Sequence, residues 1–382
     1  MKAAVAIDSF KGSLTSSQAG KAAAEGIIRV YPDAEVEICV LADGGEGTME
    51  ALISGMNGKK QRIFVTGPLG KKTVCEYGIA EHGQTAIMEM ASAAGITLLK
   101  KEERNPLFTT TYGVGEMILD AVKKGCTKFL IGIGGSATND GGIGMLQALG
   151  YGFLDRKGNQ VPFGAQGLEK IERITDEGVI PELKKCHFTI ACDVTNPLCG
   201  VEGCSAVYGP QKGADQDMME QMDRWMEKYA DLAEKSFPKA DKKYPGAGAA
   251  GGLGFAFLTF LDSILKSGVQ IVLEKTGIEQ KIKEADVVVT GEGHLDGQTA
   301  MGKAPIGIAK LAKKYQKPVI AFSGSAAREA RACNKYGIDA FFPILRQCIS
   351  LEEAMQPKQA ADNLADTAEQ VFRLWKIKEK EE

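Results

Sequence analysis

The stretch "KFLIGIGGSATNDGG", residues 128–142, decides how the chain is read. An apolar run, Phe129-Leu130-Ile131, stops at Gly132, and glycines then alternate with Ser136, Thr138, Asn139 and Asp140 before the helix-like "IGMLQALG" at 143–150. A strand buried on both faces reads as a continuous apolar run. A glycine turn behind it lets backbone N–H groups converge on an anion where a helix start adds positive potential. The stretch predicts a strand–loop–helix unit of an α/β fold with an anion at its loop.

The same pattern recurs along the chain. "AVAI" at 4–7, "VEICVLAD" at 36–43, "FTIACD" at 188–193, "ADVVVTG" at 285–291 and "PVIAFSG" at 318–324 end in Gly, Ser or Asp. Between the first two, Ala19, Ala22, Ala23, Ile27 and Val30 recur at helical spacing and stop before Pro32; Val114, Met117, Ile118, Ala121 and Val122 do the same before Gly125. Strands alternating with crossover helices are the mark of a parallel sheet. Residues 60–90 break the rhythm, with β-rich runs around turn signals at Gly67-Pro68 and His82-Gly83, as in antiparallel hairpins. The expected organisation is therefore one α/β domain from residues 1–66 plus 285–382, interrupted by a second α/β domain over 67–284.

Composition narrows the function. A chain of 382 residues exceeds what one core usually organises. A net charge of −3, with lysines and arginines scattered, argues against a nucleic-acid groove. Nine cysteines without framework spacing suit a reducing compartment. The amino terminus reaches Asp8 before a signal core forms, and no run approaches the roughly 18 apolar residues of a membrane span. A cytoplasmic protein with a small-molecule partner, and neither a nucleic acid nor a membrane, is expected.

The chemistry-bearing motifs follow strand ends: "DSFKGS" at 8–13, "ADGGEGT" at 42–48, "CDVTNPLCG" at 192–200 and "TGEGHLDGQTAMGKAP" at 290–305. Any one acid there is as readily a helix cap. Together, carboxylates, Lys11, Lys212 and Lys303 and glycine loops suit phosphoryl transfer, which needs anion neutralisation and magnesium held by oxygen ligands. "GQTAMGKA" at 297–304 nearly spells a phosphate-binding loop, but Ala304 lacks the hydroxyl for magnesium. Gly132-x-Gly134-x-x-Ala137 with Asp155 downstream fits a loose dinucleotide fingerprint, which keeps a nicotinamide-dependent hydroxy-acid oxidoreductase as the rival enzyme. A non-catalytic nucleotide or sugar-acid sensor is the rival outside enzymes. "GAGAAGGLG" at 246–254 either lets a helix start approach a phosphate or packs two backbones closely. Cys192, Cys199 and Cys204 lack the pairing of a zinc site. Among the histidines only His294 sits in a motif.

In this order, "DSFKGS", "ADGGEGT", "GIGGSATNDGG", "CDVTNPLCG", "GPQKGA", "PGAGAAGGLG" and "TGEGHLDGQTAMGKAPIGIA" resemble the bacterial glycerate kinase family over essentially the whole chain. Gly297, where family members often carry Ser, and His294 depart from its pattern. The resemblance implies a flavodoxin-like three-layer domain with a mixed α/β domain inserted in it and an active site in the cleft between them. It also implies ATP-dependent phosphorylation of D-glycerate at the 2-hydroxyl with Mg2+, glycerate 3-kinase activity being the alternative. On that basis Asp8, Ser9, Lys11, Asp43 and Glu46 are expected on the substrate side, with Lys11 on the glycerate carboxylate. Gly134, Gly135, Ser136, Asn139, Asp140, Gly248 and Gly251 are expected at the nucleotide phosphates. Asp193 is expected as base or magnesium ligand, Asp296 as a second ligand, and Lys303 at the transferring phosphoryl group. A homodimer is the assembly to look for.

Overall fold

The computed structural model describes residues 1–42 and 47–379, the side chains of 378 and 379 excepted. Asp43 and Glu46 therefore lie outside the described residues. The chain divides into two compact units: the described residues of Met1–Asp43, Glu50–Gly55 and Val269–Glu382, and those of Gly44–Met49 and Met56–Gly268.

The first unit is built on five parallel strands: β1 (Lys2–Ile7), β2 (Glu35–Ile38), β11 (Val287–Leu295), β12 (Val319–Ala326) and β13 (Ala340–Pro343). They lie in the order β13-β12-β11-β1-β2. Numbered within the unit this is 2-1-3-4-5, the doubly wound order of flavodoxin-like sheets. Ala3, Val5 and Ile7 join Val287, Val289 and Phe322 in a core with the helices Ser16–Val30 and Pro357–Glu379. Ala4, Ala6 and Val288, which alternate with them, are equally enclosed. Since alternate residues face opposite sides, helices must cover both faces. Ala304–Lys314, in contact with β1, β11 and β12, contributes to the second layer.

Helix Ser16–Val30 starts where local chemistry dictates. Thr15 accepts from the Gln18 N–H at 3.2 Å, and the Gln18 side chain accepts from the Thr15 N–H at 2.9 Å. This reciprocal cap satisfies two donors that the first turn would leave orphaned. Alanines and glycines on its buried face let the carboxyl-terminal helix come close: a Cβ on Gly26 would overlap the Ala365 carbonyl oxygen.

The second unit carries β3 (Lys59–Thr66), β4 (Lys72–Ala80), β5 (Thr85–Glu89), β6 (Lys128–Gly132), β9 (His187–Ala191) and β10 (Ser263–Lys266), in the order β10-β9-β6-β5-β4-β3. From β5 to β10 the neighbours are parallel, while β3, β4 and β5 form an antiparallel meander around the expected turns. A separate antiparallel pair, β7 (Gly152–Leu154) and β8 (Arg173–Thr175), lies in the same unit. Its core stacks Phe129 of β6 on Phe188 of β9 with ring centroids 4.7 Å apart.

The boundaries differ from the sequence expectation at both joins. Residues 59–66 pair along their length with β4, so they belong to the second unit rather than to 1–66. β3 is a half-exposed edge strand, and nothing local says which sheet it will join. Residues 269–284 belong to the first unit, because the helices there, Gly268–Lys275 and Ile278–Glu284, lead directly into β11.

Within an unobstructed helix, Gly→Ala would stabilise by about 1 kcal/mol. Gly26→Ala should instead destabilise by roughly 1–3 kcal/mol, because the added methyl must displace the backbone of the facing helix. Urea unfolding measures the sign; a stabilised variant would show that the two helices are not in this close contact.

Candidate active site

Strand register builds the pocket of the first unit. β1 and β11 run parallel with Ile7 opposite Gly291, and the Asp8 N–H donates to the Gly291 carbonyl at 2.8 Å. One residue further on, Asp8 lies just past the end of β1, beside the last part of β11 that carries Glu292. In the 2-1-3-4-5 order this is the point where the winding reverses, and open α/β sheets bind ligands in the crevice formed there. A pocket of about 370 Å³ occupies it, lined on one side by Asp8, Ser9, Lys11, Glu292, Asp296 and Lys303.

These groups are held in place. The Asp8 carboxylate accepts from the Ser9 N–H at 2.7 Å and is 5% exposed. Glu292 is 9% exposed and accepts from the Thr299 hydroxyl at 2.6 Å. Burial pushes the Glu292 carboxyl up; the Thr299 hydrogen bond and the charges of Lys303 and Lys11 pull the other way without cancelling it. Desolvation acts on Asp296 too, but the Thr299 N–H at 2.9 Å and the Lys303 charge bring it below its ordinary value. Lys303 lies 3.8 Å from both Glu292 and Asp296 and leads into helix Ala304–Lys314, with Pro305 in its first turn. The near-match to a phosphate-binding loop at 297–304 is thus a short helical turn, Thr299–Met301, and Thr299 spends its hydroxyl on Glu292.

The quoted stretch at 128–142 sits in the second unit. Its strand ends at Gly132, opposite Glu89 of β5 and Ala191 of β9. Gly134 and Gly135 are exposed, and Gly135 has φ +71°. Among the described residues the N–H groups of Gly134, Gly135 and Ser136 have no acceptor, while the Gly135 carbonyl is used by the Ile96 N–H at 2.9 Å. Successive unpaired N–H groups form a nest for one anionic group. Beside it lies a pocket of about 410 Å³ that includes Glu76, Glu89, Ile96 and Leu98.

Beneath this turn the side chains serve the loop. Asp140 is fully enclosed and accepts from the Thr111 N–H (2.8 Å), the Thr111 hydroxyl (2.9 Å) and the Gly142 N–H (3.1 Å). Burial nevertheless raises its pKa. Asn139 is also enclosed and donates to the Ser205 hydroxyl at 2.9 Å. Both hold the loop's shape from within. Gly248 and Gly251 are likewise backbone-packing residues: a Cβ would overlap the Pro197 carbonyl in the first case and that of Thr138 in the second. Ser136 keeps a foot in each role, since its hydroxyl accepts from Lys212 Nζ at 2.8 Å.

Lys212 is nearly as enclosed as Asp140, 1% exposed, and also donates to the Thr138 carbonyl at 2.6 Å. Among the described residues no carboxylate pairs with it directly, and burial pushes its pKa down to about 8. Asp193, two residues beyond the end of β9, is exposed and accepts from the Gly268 N–H at 3.2 Å.

The structure thus gathers Asp8, Ser9, Lys11, Asp296 and Lys303 in one unit and the Gly134–Ser136 turn and Asp193 in the other. Sequence reasoning overlooked Glu292, although it stands inside the quoted "TGEGHLD"; the signal was its place beyond the last buried valine of β11. The dinucleotide reading loses its geometry. No helix starts until Ile143, and Asp155 accepts from the N–H groups of Lys157 and Asn159 in an exposed turn. His294 bonds Ser325 at 2.7 Å on the exposed side.

Comparison with known proteins agrees. The model of the glycerate kinase family matches residues 3–376. Glycerate 2-kinase of Escherichia coli K12 is 45% identical over 364 residues, covering 95% of each chain. Glycerate kinase of Haemophilus influenzae is 46% identical over 378 residues, 99% of this chain and 100% of that one. The crystal structure of a glycerate kinase 2 from Salmonella typhimurium LT2 superposes with a TM-score of 0.90 at 42% identity, covering 100% of this chain and 99% of that one.

The buried lysine makes a pH prediction. Its pKa falls from 10.5 when unfolded to about 8 when folded, so across that window the unfolded chain holds a proton that the folded chain has released. Rising pH then favours the fold. Relative to Lys212→Met, the wild type should gain on the order of 3 kcal/mol between pH 8 and 10.5. Denaturant titrations of both proteins at the two pH values check this; a constant difference would mean an ordinary lysine.

Proposed function

Because the chain belongs to the glycerate kinase family and is an enzyme that phosphorylates glycerate, we propose that it transfers the γ-phosphoryl group of ATP to the 2-hydroxyl of D-glycerate with magnesium. The observation that carries this reading is the convergence of Asp8 and Glu292 with Lys11 and Lys303 in the pocket where β1 and β11 end. Transfer of a phosphoryl group asks the protein for positioning and charge neutralisation more than for covalent chemistry. Lys11 and Lys303 supply the cations. The choice of the 2-hydroxyl follows the name of the Escherichia coli relative, a glycerate 2-kinase.

The residues fit magnesium in the manner of a kinase. Among the described residues no three Asp, Glu, His or Cys side chains gather tightly enough to hold a metal alone. Magnesium beside phosphates needs only one or two carboxylates, the rest of its shell being phosphate oxygens and water. Asp8 and Glu292 are the pair that would hold it, and it would supply neutralisation of the phosphate charge. Asp296, which shares the partners Thr299 and Lys303 with Glu292, would be a second ligand beside them. Asp193, oriented by the Gly268 N–H, accepts the proton leaving the acceptor hydroxyl.

The first test is an assay with ATP, magnesium and D-glycerate, coupled either to enolase alone or to phosphoglycerate mutase plus enolase. Signal with enolase alone is expected; a signal that requires the mutase would move the phosphate to carbon 3. Glu292→Gln and Asp193→Asn should each lower kcat about 100-fold or more with an unchanged circular dichroism spectrum. Near-normal turnover in either variant would remove that residue from the chemistry.

A further inference from the structure

The pocket at the ends of β1 and β11 is two-sided, and a three-carbon hydroxy acid uses only one side. Beyond the acids and lysines its wall turns apolar, through Ile344 and Leu345 after β13, then Leu351, Met355 and Ala360. Leu345 and Leu351 are 44% and 75% exposed, so these side chains are not simply core. Glycerate has an oxygen on every carbon and nothing to place against them. A ligand that fills about 370 Å³ here must be anionic at one end and apolar at the other.

One polar group stands in the apolar part. Asn363, on helix Pro357–Glu379, lines the pocket and is 8% exposed. Its Oδ1 accepts from the Gln359 side chain at 3.0 Å, but its amide N–H2 has no acceptor among the described residues. A donor at a pocket wall that no protein group uses is free to orient a ligand there. Apolar walls with a few such orienting groups are how small-molecule sites recognise a planar heterocycle. An adenine ring offers flat faces to the leucines and ring nitrogens that accept from the Asn363 amide.

The geometry points to this pocket as the site of the whole adenine nucleotide, with the base between Leu345, Leu351 and Met355 against Asn363 and the phosphates toward Lys303 and Lys11. The inference rests on the reading of ATP as phosphoryl donor. It reverses the assignment expected from sequence for this unit: Asp8, Ser9 and Lys11 attend the nucleotide rather than the acceptor. Two features at the polar end agree. Lys303 leads into helix Ala304–Lys314, whose amino-terminal dipole favours phosphate. The pocket also lies at the winding reversal, where sheets of this order accommodate mononucleotides, an argument by analogy of fold.

The test is photolabelling with 8-azido-ATP and magnesium, followed by peptide mapping, with calorimetric titration of ATP and of tripolyphosphate. ATP-competable label within residues 344–363 is expected. Asn363→Leu and Leu345→Ala should weaken ATP about tenfold, leave tripolyphosphate binding unchanged and leave the KM for D-glycerate unchanged. Leu345 is exposed enough that its truncation does not threaten the fold, so the result stands even if the Asn363 variant is unstable. Label confined to the pocket of Ile96 and Leu98, or wild-type ATP affinity in both variants, would overturn the base site while leaving the kinase reading intact. A wild-type protein that binds no ATP would overturn both.

Discussion

The pairing of β1 with β11 is the constraint on which the site depends. The first strand of the chain lies beside one that begins at Val287, and their register sets Ile7 against Gly291. Because successive residues face opposite sides of a sheet, a slip of one position would turn Asp8 and Glu292 away from each other and bury the wrong alternation. That slip is prevented by the core. Ala3, Val5 and Ile7 must meet the helices on one side while Ala4 and Ala6 are covered on the other. The geometry of the pocket is thus inherited from hydrophobic packing, and the pairing of β11 with β12 extends it to Ser323 and Ser325.

The two units handle negative charge by different physics. The first gathers carboxylates and lysines in one partly open pocket, where each acid is steadied by an N–H or a hydroxyl and Lys303 stands beside two of them. The second offers bare backbone N–H groups, with Lys212 buried behind them on neutral partners. A buried ammonium without a direct carboxylate is costly. Its position under Ser136 directs positive potential into the turn, which offsets part of that cost whenever an anion is present. Fixed donors suit a group that must be held in one place. Charged side chains held in place beforehand suit a group whose charge is redistributed during reaction.

Much of this was legible in the sequence because the signals are local. The parallel strands show as short apolar runs, the helix Ser16–Val30 by its spacing and its Pro32 stop, and the meander by its glycine turns. Strand-end acids and lysines could be picked out by the same logic, and Asp8, Lys11 and Lys303 do share a pocket. What the sequence does not show is depth. Asn139 and Asp140 look like ligands in a polar, glycine-rich string, yet both are fully enclosed and bond to Ser205 and Thr111, partners 66 and 29 residues away. Gly248 and Gly251 look like phosphate glycines for the same reason and are close backbone contacts instead.

By itself, the sequence determined the fold class, the family and the kinds of chemical group present, since periodicity, turn residues and motif order are written in consecutive residues. Tertiary structure alone decided which groups meet. Asp8 and Glu292 become neighbours only through strand register, Asn363 faces the apolar wall only because its helix crosses that end of the sheet, and Lys212 is buried only by residues distant in the chain. Contacts of that kind are set by packing among many side chains at once, and no short stretch of residues carries them.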